Sequence, residues 1–398
     1  QMTDKRDVVI IGAARTAIGR FGGTISRVPA VELGGHAIRA AVERAGVDPA
    51  SVDEVLVGQV IQAGSGQAPA RQAALNAGLP HTVGATAVNK VCGSGLKTVS
   101  MGANAIMVGE AQIIVAAGME SMNRGPYLLS EARTGYRLGS GELIDATVHD
   151  GLWCSVENWH MGNSAELIAE AEDISREEMD EYALRSHRRA IKAIEEGKFR
   201  EEIVPLVIPQ RKGEPLIFDT DENPRADTSV EALGRLPPAF KADGKCTAGN
   251  SSAITDGAAA VVITSAEKAR ELGIQPLARI TGFAQAAVEP KWVFIAPVHA
   301  IEKLLDKTGY DLQDFELVEI NEAFASQMIA DVHKLGLDWD RVNVHGGAIA
   351  LGHPIGCSGT RVLVTLLHAM KDRGARLGLA ALCLGGGEAV AMSVEMMP

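Results

Sequence analysis

Apolar positions along this chain follow two habits. Runs such as Val8-Val9-Ile10-Ile11, Ile113-Ile114-Val115, Ala260-Val261-Val262-Ile263 and Ala389-Val390-Ala391-Met392 are apolar at every position and mostly β-branched, which predicts strands buried on both faces. Elsewhere the spacing lengthens. Leu96, Val99, Ala103 and Ile106 recur at 3, 4 and 3, and Leu363, Leu366, Leu367 and Met370 at 3, 1 and 3, which predicts two helices that each bury one face. Strands alternating with helices place the chain in the layered α/β class.

The pattern occurs twice. Ala37-Ile38 leads after nine positions to Gly46 and then to Val52-Asp53-Glu54-Val55-Leu56-Val57; Ala300-Ile301 leads after nine to Gly309 and then to Phe315-Glu316-Leu317-Val318-Glu319-Ile320. Both copies read helix, glycine stop, strand. The glycines lie 309 − 46 = 263 residues apart, and the pairs Ser94-Gly95 and Ser358-Gly359 lie 358 − 94 = 264 apart. Two copies at so long a period imply two homologous domains packed together. Between them, roughly residues 120–250 are more charged and contain the capping box Ser175-x-x-Glu178, the start of a helix in an inserted domain.

With 398 residues, 46% hydrophobic and 22% charged, the chain is long enough for two or three domains around a large core, and 43 glycines with 4% aromatics fit tight α/β packing. A net charge of −12 argues against a nucleic-acid partner, so any anionic ligand must be met by local cations. The five cysteines form no CxxC pair and no Cys/His metal spacing, so neither a disulfide framework nor a structural zinc is expected; reduced thiols and a cytoplasmic location are. No apolar run is long enough for a bilayer, and the start of the chain lacks a basic stretch followed by an apolar one. Gln1, ahead of Met2, reads as an extra residue.

Candidate chemistry gathers in glycine-rich turns. Asn343 to Gly359 holds His345 and His353 among five glycines with no Asp, Glu, Lys or Arg, and two further glycine-framed segments carry Cys92 and Cys383. Cys92 stands just before a helix start, where the positive end of the helix dipole favours a thiolate, and free N–H groups in such a turn suit the oxygen of a tetrahedral intermediate. In that reading His353 takes the thiol proton, and Cys383 serves as a second acid/base on a carbon acid. On spacing alone Cys92 and Cys383 read equally as small core residues, and the core reading is the favoured one for Cys154, Cys246 and Cys357 and for His353 taken alone in its tight turn.

Asn89-x-x-Cys92-Gly93-Ser94-Gly95, Gly118-Met119-Glu120-Ser121-Met122, Ala248-Gly249-Asn250, Asp256-Gly257-Ala258-Ala259, Asn321-Glu322-Ala323-Phe324-Ala325, Gly346-Gly347-Ala348-Ile349-Ala350-Leu351-Gly352-His353-Pro354 and Cys383-x-Gly385-Gly386-Gly387 resemble the thiolase signatures, in thiolase order, over essentially the whole chain. Pro126 to Leu129, Gly139 to Leu143 and Asp150 to Leu152 are most similar to the biosynthetic, acetoacetyl-CoA type. The resemblance implies a five-layered α-β-α-β-α core: residues 1–120 with 250–273 as one half, 274–398 as the other, and 121–249 as a loop domain for coenzyme A and oligomer contacts. It implies acyl transfer between acetyl-CoA, acetoacetyl-CoA and CoA without a cofactor or metal, in a homotetramer built as a dimer of dimers. Cys92 would carry the acyl group. His353, with a water on Asn321, would bind the oxygen of the second thioester, Cys383 would exchange its α-proton, and the N–H groups of Cys92 and Gly385 would form an oxyanion hole. Leu152, His160, Met161, Arg225, Phe240, Ala248, Ser252 and Phe324 match positions around the coenzyme. The chain departs from the pattern at His345, Ala232, Glu388 and Val293-Phe294-Ile295-Ala296-Pro297-Val298-His299, where members usually carry Met-Gly-Ile-Gly-Pro-Val-Pro. That last departure supports an alternative, a degradative 3-oxoacyl-CoA or 3-oxoadipyl-CoA thiolase. A non-catalytic CoA-binding protein on the same fold is the third reading, and the joint presence of both cysteines, His353 and Asn321 speaks against it.

Overall fold

A computed structural model of the chain describes residues 7–210 and 212–398; the reading of Gln1 and the start of the chain lies outside them. The buried runs form nine strands of one mixed sheet: β1 (Val8–Arg15), β2 (Glu54–Gly58), β3 (Gly84–Val88), β4 (Ile113–Ser121), β5 (Thr255–Ser265), β6 (Ala278–Ala287), β7 (Leu317–Ile320), β8 (Leu377–Leu384) and β9 (Glu388–Met396). A two-residue strand, Gly19–Arg20, adds to β5. The order across the sheet is β3-β2-β4-β5-β1-β6-β9-β8-β7. In the first half β2 runs parallel to β3 and β4; in the second β7 runs parallel to β8 and bridges Val342 on its other side, so the halves repeat. The halves meet at a narrow seam, where, among the described residues, β1 and β6 pair only through Val9 with Arg279 and Ile10 with Ala278.

Helices α1 (Ala30–Ala45), α2 (Pro69–Asn76), α3 (Ser94–Val108), α4 (Met161–Ala171), α5 (Arg176–Glu195), α6 (Ala296–Thr308), α7 (Ala325–Leu335) and α8 (Ile355–Arg373) complete the layers. Alternation along each strand sorts the core. Val9, Ile11, Val55 and Val115 face α1 and α2, whereas Val8, Ile10, Leu56 and Ile114 face a central layer made by α3 and α8. Leu382, Val390 and Met392 of the second half cover the other side of that layer, and Leu379, Ala381 and Cys383 point outward to α6 and α7. The result is the expected five layers, helix, sheet, helices, sheet, helix. Each central helix residue such as Leu96, Val99 or Leu363 is fully enclosed, worth about 1.5–3 kcal/mol by burial.

The predicted helix stops hold: α1 ends on Gly46 at φ 67° and α6 on Gly309 at φ 75°, both left-handed. The capping box of α5 is present, with Ser175 and Glu178 each bonding the other's backbone N–H. One register differs. Ser94 is the first residue of α3, but Ser358 is the fourth of α8, because Pro354 at the cap starts that helix a turn earlier. Both helices approach backbone to backbone: a Cβ built on Gly359 would lie 2.3 Å from Leu96 N, and one on Gly95 2.6 Å from Thr360 N.

Candidate active site

The two central helices aim the candidate residues at one place. Cys92 occupies the turn before α3, where Gly93 N–H donates to Lys90 O (3.1 Å), Ser94 N–H donates to Val91 O (3.1 Å) and Val91 takes φ 45°. His353 occupies the turn before α8, its N–H on Ala253 O (3.2 Å). Cys383 is the next-to-last residue of β8, and Gly386 and Gly387, at φ 91° and 84°, reverse the chain into β9. All three line one cavity of about 510 Å³, together with Gly385. Predicted contacts Leu152, His160, Met161, Arg225, Phe240, Ala248, Ser252 and Phe324 line it as well. Asn321 lies just behind, its Nδ2 3.5 Å from His353 Nε2, and its buried Oδ1 has no protein partner.

The cavity has a charged, open rim and an apolar floor. Arg225 is exposed there, as are Arg20 and Phe21, which sequence reasoning did not single out. These arginines answer the need for local cations in an acidic protein. Along one wall Phe294 meets Phe324 edge to face (5.2 Å between centroids), Phe324 meets Phe240 (5.9 Å), and Phe240 stacks on His160 (4.8 Å). His160 also caps α4, its Nδ1 accepting Gly162 N–H at 3.0 Å.

His353 is held in one tautomer. The Ser358 hydroxyl donates to Pro354 O (3.0 Å), so its oxygen is left to accept from His353 Nδ1–H at 2.5 Å, and Nε2 carries the free lone pair. Burial, and then the Arg361 charge, depress the imidazole to about 3, so it is a neutral base. Glu120, fully buried, accepts N–H groups from Val60 (3.0 Å), Ile61 (3.2 Å) and Gly356 (2.9 Å), and so ties the turn after His353 to the first half. Its motif is visible in the sequence; this use of it is not. The role of Ser358 becomes legible only once α8 is known to start at Ile355.

One expectation is overturned. Cys92 was expected to have a favoured thiolate, but burial pushes its thiol up to about 11, opposed only in part by N–H groups of Gly385 and of Cys92 itself that face the sulfur. Gly93 caps α3, so Cys92 sits outside the first turn, where the dipole is already weak, and enclosure wins. Cys383 is likewise held well above its ordinary value, by burial, then Cys92, then Asp331. The site at rest is thus two thiols and a neutral imidazole. Such a set moves a proton as the sulfur attacks, with N–H groups waiting for the charge that forms. Glu388, at one of the unusual positions, ion-pairs with Lys90 and so links the Cys383 and Cys92 turns.

Comparison with known proteins bears on the family and the fold. The family model for the thiolase N-terminal domain matches residues 8–267 and that for the C-terminal domain residues 274–396. The chain belongs to the thiolase family. This thiolase is similar to the acetyl-CoA acetyltransferase of Pseudomonas aeruginosa, at 55% identity over 98% of this chain and 99% of that one. Among solved structures, the Bacillus anthracis acetyl-CoA acetyltransferase matches with a TM-score of 0.97 and 46% identity over 99% of both chains. The acetyl-CoA acetyltransferase of Syntrophomonas wolfei gives 0.97 and 41%, over 99% of this chain and 100% of that one.

Proposed function

We propose that this thiolase is an acetyl-CoA C-acetyltransferase that reversibly condenses two acetyl-CoA into acetoacetyl-CoA and CoA. The observation that carries the reading is the convergence of Cys92, His353, Cys383 and Gly385 N–H on one cavity in a chain whose relatives bear that name. His353 Nε2 takes the Cys92 proton as the sulfur attacks the first thioester carbonyl; the N–H groups of Cys92 and Gly385 receive the oxyanion, and CoA leaves as its thiolate, taking the proton of Cys383. A second acetyl-CoA then binds with its carbonyl oxygen accepting from the protonated His353 Nε2–H and from a water on Asn321 Oδ1. Cys383, now a thiolate, removes its α-proton, the new carbanion bonds to the acyl carbon, and the Cys92 sulfur leaves, taking the proton from His353, so that both thiols and the neutral imidazole are restored. No cofactor enters these steps.

Segment 121–249 supplies the coenzyme contacts, with Arg225 at the rim suited to phosphate and the aromatic wall to the pantetheine arm. Tyr127, Leu129, Tyr136, Leu138 and Leu143 stand exposed on one stretch of it, which supports a dimer of dimers as the assembly. A reduced cytoplasm is the compartment that suits two working thiols. A substrate panel followed at the thioester absorbance tests the activity: CoA-dependent cleavage of acetoacetyl-CoA is expected, and none with any 3-oxoacyl-CoA rejects it. Light scattering tests the tetramer.

A further inference from the structure

Asp331 is a carboxyl that these steps do not use. It is fully buried on α7 among Met328, Ile329 and Val332, in the outer core that also holds Cys383, and it does not line the cavity. Its Oδ2 accepts from Gln327 Nε2 at 2.6 Å, one helical turn earlier, and its Oδ1 has no partner. Gln327 Oε1 in turn accepts the N–H of Ala323 at 3.1 Å.

An amide has one acceptor end and one donor end. With the oxygen of Gln327 committed to Ala323, its nitrogen needs an acceptor, and beyond the Met328 thioether at 3.3 Å Asp331 is the one it meets. Ala323 belongs to the turn Asn321–Phe324, from which Asn321 approaches His353 and Phe324 lines the cavity. The same turn accepts Ser252 N–H on Ala323 O at 3.0 Å. Hydrogen bonds thus run unbroken from the core acid to the turn that presents Asn321. A carboxyl is an expensive occupant of an apolar helix face, where leucine or valine would pack without penalty. Burial holds it well above the usual carboxylate range.

We propose that Asp331 is a positioning residue for the second half-reaction: through Gln327 it sets the Asn321–Phe324 turn at the depth where Asn321 and Cys383 meet the incoming acyl-CoA. Acylation of Cys92 does not draw on it. The inference rests on the acetyltransferase reading above.

Two half-reactions separate this role from a merely structural one. Acetylation of Cys92 by acetyl-CoA is followed by intact-protein mass after a rapid quench, and proton exchange by loss of α-deuterium from labelled acetyl-CoA. Asp331→Val, similar in size but without an acceptor, is expected to lower exchange and condensation at least about tenfold while acetylation stays within about twofold. Asp331→Asn, which keeps the acceptor oxygen, is expected to recover exchange to within about threefold of the wild type. Equal loss in both half-reactions, loss in neither, or failure of the Asn variant to recover overturns the role. If Asp331→Val does not fold, Gln327→Met breaks the same chain in the middle and carries the same expectations. A wild-type protein that neither acetylates nor thiolyses rejects the acetyltransferase reading and this inference with it, whereas an active wild type with an unsplit variant rejects this inference alone.

Discussion

Gly359→Ala tests whether the approach of α3 and α8 sets the catalytic distances. The added Cβ would lie 2.3 Å from Leu96 N and 3.1 Å from both Gly95 C and Leu96 Cβ. Backbone cannot swing aside as a side-chain tip does, so the helices must separate by about 1 Å to restore ordinary contact. Overpacking of this kind costs about 1–3 kcal/mol of stability. The larger effect falls on activity. Cys92 lies two residues before the start of α3 and His353 two before that of α8, so separation of the helices is passed on to the proposed nucleophile and base. A displacement of about 1 Å is enough for a loss on the order of 100-fold. The assay pairs urea unfolding with the rate of Cys92 acetylation, and Gly84→Ala, at a strand position where a Cβ meets nothing within 4 Å, is the control. A Gly359→Ala variant that acetylates within about threefold of the wild type refutes the reasoning.

Phe294 is 2% exposed and walls the cavity beside Phe324, so acetoacetyl-CoA is expected to exceed 3-oxohexanoyl-CoA by at least about tenfold in kcat/KM, a preference that Phe294→Ala should narrow; equal use of both by the wild type rejects this and favours the degradative alternative. Cys92 alone of the five cysteines keeps some exposure, so iodoacetamide should label it first and acetyl-CoA should protect it; peptide mapping that finds Cys154 or Cys246 labelled ahead of it, with activity lost in step, removes it as nucleophile. Cys383→Ser should still form acetyl-Cys92 but lose α-proton exchange, and undiminished exchange ends its assignment. Burial raises Glu120 from 4.5 to about 7, so its stabilising share is full below pH 4.5 and is lost as pH rises through about 7. At about 1.4 kcal/mol per pH unit, the wild-type advantage over Glu120→Gln in urea unfolding should shrink by about 3 kcal/mol between pH 4.5 and 8, and a difference flat with pH contradicts it.

The layers were legible because hydrophobic periodicity reports which faces are covered, and the repeat showed that the covering occurs twice. The candidate cysteines, His353 and Asn321 were legible because glycine turns and motif order mark them. The seam between β1 and β6 was not: two residue pairs out of two long strands leave no periodic trace. The state of Cys92 was misread for a related reason. Sequence shows that a helix begins two residues on, but enclosure depends on residues hundreds of positions away, such as Ile355, against whose cluster Cys92 packs. Ser358 escaped notice because the sequence put it, with Gly359, in a turn ahead of the helix, and only a start of α8 at Ile355 brings its oxygen to His353. The wall at Phe294 stood out only as a departure; its contact with Phe324 gave it a use.

β5 lies between β4 and β1, although about 130 residues of chain separate it from the end of β4. On the ribosome, therefore, β1 to β4 emerge with a gap at the middle of their sheet, and both flanking strands present bare edges until residue 265 has cleared the exit tunnel. All of residues 122–254 must be made in that interval. Such edges invite pairing with other nascent chains. Fragments ending short of residue 255 should accumulate as aggregates, whereas a fragment carried through residue 265 can close its own sheet, which makes β5, the strand of the Asp256-Gly257-Ala258-Ala259 motif, a checkpoint in biosynthesis as well as a part of the core.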